Sequence, residues 1–547
     1  MAPDNVNGQG KRTWSWAVLL PLLLGIAVAG GYFIGSRVGV SDTGSMQFFE
    51  LRRNTPAAKL QQVLELIDRQ YVDTVQEGKL VDEVLQNMLQ QLDPHSYYIS
   101  AADLRAAEEP LEGSFMGIGV EFSIQRDTIV VVATIEGGPS EALGIRAGDR
   151  LVSADSTKLA GVGVTNDMVM KALRGPANTK VTVGVVRGGG KPFDVTITRG
   201  PIPINSVAVA LMDEDSTGYL RLSRFARTTH EEFLKATGDL KAKGMKRLVL
   251  DLRGNGGGYL NAAIGICEEL LPKGTEIVYT EGRASPRQDY KADGGGSLID
   301  MPLAVLIDEG SASASEIVSG AVQDNDRGLI VGRRSFGKGL VQEQVNLRDN
   351  SAVRLTTARY YTPSGRSIQR PYGNGVDYKD DLEARYIHGE LLNVDSIHLD
   401  SSQAYTTKKG RTVYGGGGIM PDIFVPADTA DRSTYLSELF FSGSLNRYAF
   451  DVADRHRGKL KKYGTPERFN AEYEITPAQL NGLATEAKAA GVDYDPQGLK
   501  LSSSVIALRL KAGIARNIWG ENGYYRVLLE DDRIYERARE ALREQTP

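Results

Sequence analysis

Residues 303–320 read LAVLIDEGSASASEIVSG, and this stretch decides how the middle of the chain folds. Its five leading apolar residues predict a buried strand. The small residues that follow predict a turn into a helix, because Gly310 frees the backbone and serine favours helix starts. Three serines lie two residues apart in this turn, Ser311, Ser313 and Ser315. A plain turn accounts for all three, so local sequence leaves open whether any of them acts through its hydroxyl.

Strands and helices alternate on both sides of this stretch, from residue 218 to residue 345. The predicted strands include GYLRLSRF, RLVLDLRGN, EIVYT and GLIVG, and the predicted helices cover 229–243, 259–271 and about 313–323. This alternation is typical of a layered α/β sheet with mainly parallel strands, where functional residues gather at strand ends. Two strand ends carry unusual residues, DLRGNGGG after RLVL and DEGSASASE after LAVLI.

Residues 113–200 have a different texture, with short strands and glycine turns that predict a separate β-rich domain. The ordered pattern resembles a PDZ domain. Gly117, Ile118, Gly119 and Val120 stand where such domains have their carboxylate-binding loop, and a GIRAGDRL segment follows. In such a loop successive backbone N–H groups bind the terminal carboxylate of a peptide, and the next strand offers an edge for β-addition.

Both flanks of this central region are predicted to be helical. Residues 56–92 show helical periodicity, and residues 433–547 read as charged helices with an ordinary solvated face and no chemistry of their own. His95, in LDPHSYY, is interpreted as a structural residue. Cys267 is the only cysteine, so an intrachain disulfide is ruled out, and we expect its thiol to be buried and inert.

An uncharged run at residues 14–34 follows Lys11 and Arg12. Its length of roughly 20 residues is enough to cross a hydrocarbon core. We expect an uncleaved signal anchor, with the bulk of the chain exported. The net charge of −5 provides no broad basic field, so a role in binding nucleic acid is disfavoured.

The glycine run at 254–258 fits neither common nucleotide loop. GNGGGY lacks the Lys-Ser/Thr of a phosphate loop, and Tyr259 stands where a dinucleotide loop needs glycine. It does fit a site where a backbone N–H approaches a developing oxyanion. A nucleophilic serine nearby would need a base, and His230 is the only histidine in the α/β segment, so a Ser-His-Asp triad stays open but unsupported. A lysine desolvated in a cleft is the other solution, and Lys338 in RRSFGKGLVQ is the candidate.

Several motifs in a fixed order carry a wider resemblance. LDPHSYY, DLRGNGGG, GSASASEIVSGAVQD, FGKGLVQ and YYTPSGRSIQ resemble those of the C-terminal processing peptidases, or tail-specific proteases, over roughly residues 60–425. The resemblance implies a layered, crotonase-like α/β peptidase core with an inserted PDZ-like domain, an N-terminal helical segment and a helical C-terminal tail. The implied domains are a cytoplasmic stub and anchor, a helical region, the PDZ domain, the peptidase core and a helical extension, at 1–40, 56–112, 113–200, 201–428 and 429–547.

The resemblance also implies a catalytic dyad. The family's nucleophile is the middle serine of the SASAS run and its base is the lysine of FGKG, which correspond here to Ser313 and Lys338. A glutamine four residues after the lysine orients it, and Gln342 stands at that place. This chemistry requires no metal and no cofactor.

The family's oxyanion donors are the N–H next to the nucleophile and one from the glycine run. They correspond to Ala314 and, as our choice, Gly257, with Gly256 and Gly258 as alternatives. Many members have proline where Gly256 stands, which leaves the donor in this loop less firmly assigned. Asp324 corresponds to an acid that supports the structure near the site.

The function implied is that of a membrane-anchored serine endopeptidase whose PDZ-like domain captures C-terminal tails of protein substrates. Its catalytic part would lie in the periplasm at the inner membrane, and self-association is left open. One alternative is an inactive peptide-binding scaffold, which should lack at least one of Ser313, Lys338 and Gln342. The other is a Ser-Lys amidase or esterase for small molecules, in which the PDZ-like domain would have no purpose.

Overall fold

The computed structural model describes residues 55–135, 137–373, 378 and 380–544. The predicted membrane anchor at 14–34 lies outside these residues. Within the described ranges, no helix has both the length and the apolar character needed to span a membrane. The chain divides into two compact units, residues 1–85 and 86–547, and each is described by itself.

Helices dominate the described part of the first unit, as the periodicity predicts. It contains α1 (Pro56–Gln70) and most of α2 (Glu77–Gln90), which continues into the second unit. The Thr55 hydroxyl accepts a hydrogen bond from the N–H of Ala58, and proline occupies the first helical position. Both features favour a helix start at this point.

The second unit opens with a short strand and a helix that lead into the β-rich domain. These elements are β1 (Tyr97–Ile99), α3 (Leu104–Glu112) and β2 (Ser114–Gly117). The domain itself contains β3 (Val120–Ile124), β4 (Ile129–Thr134), α4 (Pro139–Ala142), β5 (Arg150–Ala154), β6 (Thr157–Lys158), α5 (Asn166–Leu173), β7 (Lys180–Val186) and β8 (Phe193–Thr198).

An antiparallel sheet of order β3-β4-β5-β7-β8, with β6 paired to β5, forms the frame of this domain. Its inward side chains make a separate apolar core that includes Ile129, Leu151 and Val183. The chain leaves the domain through β9 (Gly200–Pro203), which pairs with β2. The β-rich domain is therefore an insertion held on a two-stranded stem.

The α/β region follows and contains most of the remaining strands. Its elements are β10 (Val207–Met212), β11 (Thr217–Leu222), α6 (Thr229–Ala242), β12 (Arg247–Asp251), α7 (Leu260–Leu270), β13 (Glu276–Glu281), β14 (Gln288–Lys291), β15 (Leu303–Ile307), α8 (Ala314–Asp324), β16 (Leu329–Gly332), β17 (Leu340–Asn346), β18 (Ala352–Tyr361), α9 (Asp381–Ile387), β19 (Ala404–Thr406), β20 (Thr412–Tyr414) and β21 (Ile423–Phe424). Two short 3₁₀ helices cover Val394–Ser396 and Ser401–Gln403.

Two sheets organise this region. The larger has the order β10-β11-β12-β15-β16-β21, and all its pairs are parallel except β10 with β11. The smaller has the order β1-β18-β13-β14, with β17 also paired to β18. The alternation of strands and helices thus predicts the parallel sheet correctly. It does not predict that β1, from a distant part of the sequence, completes the smaller sheet.

The C-terminal region is helical, as predicted. It contains α10 (Thr434–Phe441), α11 (Ser444–Leu460), α12 (Pro466–Glu472), α13 (Pro477–Ala489), α14 (Pro496–Leu501), α15 (Ser503–Leu528) and α16 (Arg533–Glu544), with 3₁₀ turns at Lys461–Tyr463 and Leu529–Asp531. Most of these helices share a core of their own.

The last helix, α16, is partly buried, although its sequence predicts an ordinary solvated helix. The larger sheet packs α6, α7 and α8 against one face. Its other face packs against Ile534, Tyr535, Ala538 and Leu542 of α16. These four side chains lie on one side of the helix, while most of its charged residues are exposed. The larger sheet is therefore covered on both faces.

Candidate active site

The two unusual strand ends lie side by side. Strands β12 and β15 are parallel neighbours, with Asp251 opposite Leu306. The turns that follow them are joined by two hydrogen bonds, from the N–H of Ala312 to the carbonyl of Asn255 at 3.0 Å and from the N–H of Gly254 to the Asp308 carboxylate at 2.8 Å. The glycine run and the serine turn therefore form one surface.

Only the middle serine of the three is partly exposed. The hydroxyl of Ser311 donates to the carbonyl of Leu252, and that of Ser315 donates to the carbonyl of Asn255, both at 2.8 Å. Both side chains are completely buried. Their hydroxyls therefore bind the serine turn to the neighbouring glycine loop, a task beyond the turn and capping roles that their sequence positions indicate.

Ser313 has an unusual backbone conformation. Its φ of 55° and ψ of −112° lie in a region that residues with a side chain rarely occupy. It immediately precedes α8, so the dipole of that helix points its positive end at the turn. Such strain is typical of functional positions held by the structure around them.

The turn that carries Lys338 is bound to the serine turn through two side chains. The Oε2 atom of Glu316 accepts the N–H of Ser313 at 2.8 Å and the N–H of Lys338 at 2.9 Å. The hydroxyl of Tyr360 lies 2.6 Å from the carbonyl of Lys338 and 3.2 Å from that of Ser313. Sequence reasoning missed both linking residues, although the S-x-x-E spacing from Ser313 to Glu316 is a capping-box pattern that could have revealed one of them.

The groups around Lys338 shift its pKa in opposite directions. Burial lowers the pKa of its amine, and the positive charge of Arg354 lowers it further. The carboxylates of Glu316 and Asp93 raise it. The net effect is a lowered pKa, which favours the neutral amine that a general base requires.

The LDPHS segment is part of this environment, because β1 pairs with β18 and brings the residues before it alongside. Burial, and then the charge of Lys338, lower the pKa of His95 to about 4. Its Nε2 lies 2.8 Å from the hydroxyl of Tyr378. His95 is therefore a neutral neighbour of Lys338, a location that its sequence context did not indicate.

Gln342 contacts the same segment through one intermediate residue. Its Nε2 lies 3.4 Å from the hydroxyl of Thr356, the residue opposite it on β18. The hydroxyl of Ser96 is also 3.4 Å from that of Thr356, and it donates to the Asp93 carboxylate at 2.6 Å. A chain of polar contacts thus extends from Asp93 to Gln342.

The glycine loop approaches the serine turn closely. A side chain at Gly257, whose φ is 95°, would lie only 2.8 Å from the Cβ of Ser313 and 2.9 Å from the nitrogen of Ala314. The N–H of Gly257 itself donates to the side-chain oxygen of Asn255 at 2.9 Å. Within the described part of the chain, the N–H groups of Ala314 and Gly258 take part in no hydrogen bond.

Asp324 lies at the far end of α8 and has structural partners. Its carboxylate forms an ion pair with Arg366 at 2.7 Å, both side chains being fully buried, and it accepts the hydroxyl of Ser364 at 2.7 Å. Cys267 is completely buried, as expected, and burial raises the pKa of its thiol. Across the described ranges, no group of three or more His, Cys, Asp or Glu side chains is arranged to hold a metal ion.

The predicted peptide-binding loop lies between the stem and an edge strand. Gly117 ends β2, and Val120 begins β3, the edge of the sheet. The carbonyl of Ile118 accepts both the N–H and the hydroxyl of Ser140, at 3.1 and 2.5 Å. Gly119 has a φ of 76°, a conformation for which glycine is suited. The loop is thus held in a defined shape.

Family models match four segments of the chain. The family model described as peptidase family S41 matches residues 216–379, and the PDZ domain model matches residues 116–198. Residues 30–102 match the N-terminal domain of the activating protease CtpB, and residues 435–520 match a family of unknown function.

Two relatives and one solved structure illustrate the similarity. The carboxy-terminal-processing protease of Bartonella bacilliformis is 37% identical over 406 residues, which are 72% of this chain and 90% of that protein. The carboxyl-terminal-processing protease of Synechocystis is 34% identical over 293 residues, 52% of this chain and 68% of that protein. The structure of the photosystem II D1 C-terminal processing protease is 29% identical, with a TM-score of 0.34, and the match covers 67% of this chain and 92% of that one.

The sequence similarity extends over most of the chain and nearly all of the Bartonella protein. It includes both the peptidase and the PDZ segments. The chain therefore belongs to the carboxy-terminal processing proteases, and it is a serine-type peptidase with a PDZ domain.

Proposed function

We propose that Ser313 is the nucleophile and Lys338 the general base of this peptidase. One observation carries the proposal: the main chains of these two residues bind the same oxygen of Glu316. The partly exposed Ser313 and a lysine with a lowered pKa are thereby held on facing turns. Activation of a serine by an adjacent base requires this kind of arrangement.

The proposed chemistry begins with a proton transfer to Lys338, which its lowered pKa favours in the neutral form. The proton of the Ser313 hydroxyl moves to the neutral amine of Lys338 while the oxygen bonds to the substrate's carbonyl carbon. The resulting ammonium returns the proton to the leaving amine as the peptide bond breaks. A water molecule then repeats the sequence on the acyl-enzyme and restores the serine. Gln342, whose Nε2 contacts the hydroxyl of Thr356, would restrict the positions that the Lys338 side chain can occupy.

The oxyanion of this reaction needs donors that are free to bind it. The N–H of Ala314 follows the nucleophile directly and is one of them. We favour Gly258 as the second, because the N–H of Gly257 is bound to Asn255. The carbonyl of Gly257 and the N–H of Tyr259 fix the loop to Phe225 on either side of Gly258.

The proposed substrates are proteins with free C-terminal carboxylates. Residues 117–120 would bind the carboxylate, and the edge of β3 would pair with the preceding residues. A substrate with a free C-terminus should have a lower KM than the same substrate with an amidated C-terminus, measured by cleavage at one internal bond. Equal kinetics for the two substrates would contradict tail capture.

We also propose that residues 14–34 anchor the chain in the inner membrane, with the catalytic part in the periplasm. The support is the uncharged run that follows Lys11 and Arg12. Cell fractionation tests this proposal: the full chain should sediment with membranes, and a chain lacking residues 1–40 should not. Recovery of the full chain in the soluble fraction would contradict it.

Substitution of each dyad member tests the catalytic proposal. The full-length chain is incubated with an unfolded protein that has an apolar C-terminus, and cleavage is compared for Ser313→Ala, Lys338→Ala and wild type. Each substitution should reduce kcat by about 10³-fold or more, since removing one member disables the unit. Lys235→Ala is the control, because that lysine is 81% exposed and pairs with Asp239 on its own helix. Wild-type rates in either dyad variant would refute the dyad.

A further inference from the structure

Glu316 is a buried carboxylate that the proposed proton transfers do not use. It is completely inaccessible to solvent, in the first turn of α8. Its Oε2 accepts the N–H groups of Ser313 and Lys338, at 2.8 and 2.9 Å. Its Oε1 accepts the N–H of Gly337 at 2.7 Å and the hydroxyl of Ser335 at 2.5 Å. One side chain thus binds four groups from two separate turns.

All four partners of this carboxylate are neutral donors. A carboxylate can accept about four hydrogen bonds when it is ionised, so the site fills its acceptor capacity. Burying a charge is costly unless hydrogen bonds satisfy it, and each unsatisfied group adds to that cost. Movement of either turn would therefore be unfavourable, because it would leave this buried charge without some of its hydrogen bonds.

The two turns come from different sheets. The serine turn follows β15 of the larger sheet, while the turn at residues 333–339 connects β16 of that sheet to β17 of the smaller one. Their relative position depends on how the two sheets meet. Catalysis between a hydroxyl and an amine is sensitive to displacements of about 1 Å. A contact that joins the two turns therefore acts on the distance between the hydroxyl and the amine.

Resting on the proposed dyad, we infer that Glu316 is a positioning residue for catalysis. Its carboxylate fixes the separation of the Ser313 hydroxyl and the Lys338 amine by binding the main chain of both turns at one oxygen. The hydroxyl of Tyr360, which lies within hydrogen-bond distance of the carbonyls of the same two residues, adds a second link between the two turns.

The charge of Glu316 has a second effect that a purely structural residue would not have. Four charged or titratable groups face Lys338, namely Arg354, Glu316, Asp93 and His95. The carboxylate of Glu316 raises the pKa of Lys338. Removing this charge should lower that pKa, so the amine would stay neutral to lower pH. The acidic limb of the pH profile of kcat/KM should then move in the same direction.

The test uses the full-length chain with Glu316→Gln, and Glu309→Gln as the matched control. Glu309 lies one residue after Asp308 at the end of β15, and its carboxylate pairs with Arg333 at 2.8 Å. We expect Glu316→Gln to lower kcat by about 100-fold with KM changed by less than about threefold, because the reacting groups and not the substrate contacts are displaced. The acidic limb should move to lower pH in Glu316→Gln and stay in place in Glu309→Gln.

A Glu316→Gln enzyme with wild-type kcat and an unmoved acidic limb would overturn the inference. The proposed dyad would survive that result as long as Ser313→Ala and Lys338→Ala remain inactive, so the two failures are distinguishable. If Glu316→Gln shows no cooperative melting, Glu316→Asp replaces it, since this variant keeps the charge but is one methylene shorter. A kcat loss with an unmoved acidic limb is expected there, and full activity of Glu316→Asp would overturn the inference.

Discussion

Ser313 combines a partly exposed side chain with a backbone conformation that is strained for any residue except glycine. A residue other than glycine at its φ of 55° and ψ of −112° is strained by about 1–3 kcal/mol. The strain is balanced by contacts that the surrounding residues make, among them the hydrogen bond from the N–H of Ser313 to Glu316. This conformation therefore costs stability, but it places the Ser313 hydroxyl at the start of α8.

This strain predicts a difference in stability between two variants of Ser313. Ser313→Gly should be more stable than Ser313→Ala by about 1 kcal/mol, because glycine adopts this conformation without the steric cost. Thermal unfolding of both variants measures the difference. Ser319, in the middle of α8, is the control, since its Gly variant should be less stable than its Ala variant by about 1 kcal/mol. The same order at both positions would show that Ser313 is not strained.

At this scale the sequence indicates the proposed nucleophile and base better than the residues that hold them. The family motifs name Ser313 and Lys338, because both lie in short, distinctive segments. His95 was assigned no part in the site, since its approach to Lys338 depends on strand pairing across more than two hundred residues of intervening chain. Glu316 was visible only as a capping-box pattern, which indicates a helix start and nothing about Lys338.

Strand β18 is the element on which most parts of the site depend. It pairs with β1, β13 and β17, and so it contacts segments from three parts of the sequence. Its pairing with β17 shifts register between Thr356 and Ala358, so Arg354 and Thr356 precede this irregularity and Tyr360 follows it. Each of the three contacts the lysine turn or Gln342, directly or through its charge.

Two neighbouring threonines allow a matched test of this strand. The hydroxyl of Thr356 lies between Gln342 and Ser96, whereas the buried hydroxyl of Thr357 has no partner among the described residues. Thr356→Val should lower kcat by about three- to tenfold, the usual worth of such hydrogen bonds. Thr357→Val should leave kcat unchanged, since it removes a hydroxyl that binds nothing. Equal kinetics in the two variants, measured with one substrate, would remove Thr356 from the site.

At the scale of the whole molecule, the C-terminal helix α16 forms part of the core together with the peptidase segment. Residues of α16 cover the back of the larger sheet, and Arg253 of the glycine loop binds Asp532, just before α16, through two hydrogen bonds of 2.9 and 2.7 Å. Ion pairs also connect the PDZ domain to the C-terminal helices, from Arg126 to Asp451 at 3.2 Å. The helical region is thus in contact with both other parts of the second unit.

Truncation of a buried side chain of α16 should destabilise the enzyme. Tyr535 is 3% exposed, and its ring meets that of Tyr219 edge-on at 5.2 Å. Tyr535→Ala should reduce the free energy of unfolding by about 3–5 kcal/mol, as expected for a large buried ring. Arg537→Ala, on the exposed face of the same helix, should change it by less than about 0.5 kcal/mol. Similar melting temperatures for the two variants would show that α16 is not part of the core.

The fold as a whole could be predicted from the sequence to a considerable extent. The helices predicted at 229–243, 259–271 and 313–323 are observed at Thr229–Ala242, Leu260–Leu270 and Ala314–Asp324. Local periodicity and turn residues determine such bounds. The pairing of β1 with β18 and the cover provided by α16 could not be predicted, because both depend on contacts between distant segments.

The order of residues along β18 also matters for the assembly of the candidate site. If one residue were inserted or deleted within this strand, the side chains beyond it would turn to the opposite face. Arg354, Thr356 and Tyr360 could then no longer act together. A newly synthesised chain likewise has no assembled candidate site before this strand has paired with segments from three parts of the sequence. An unfolded chain therefore lacks the candidate site, because the segments that form it are distant in the sequence.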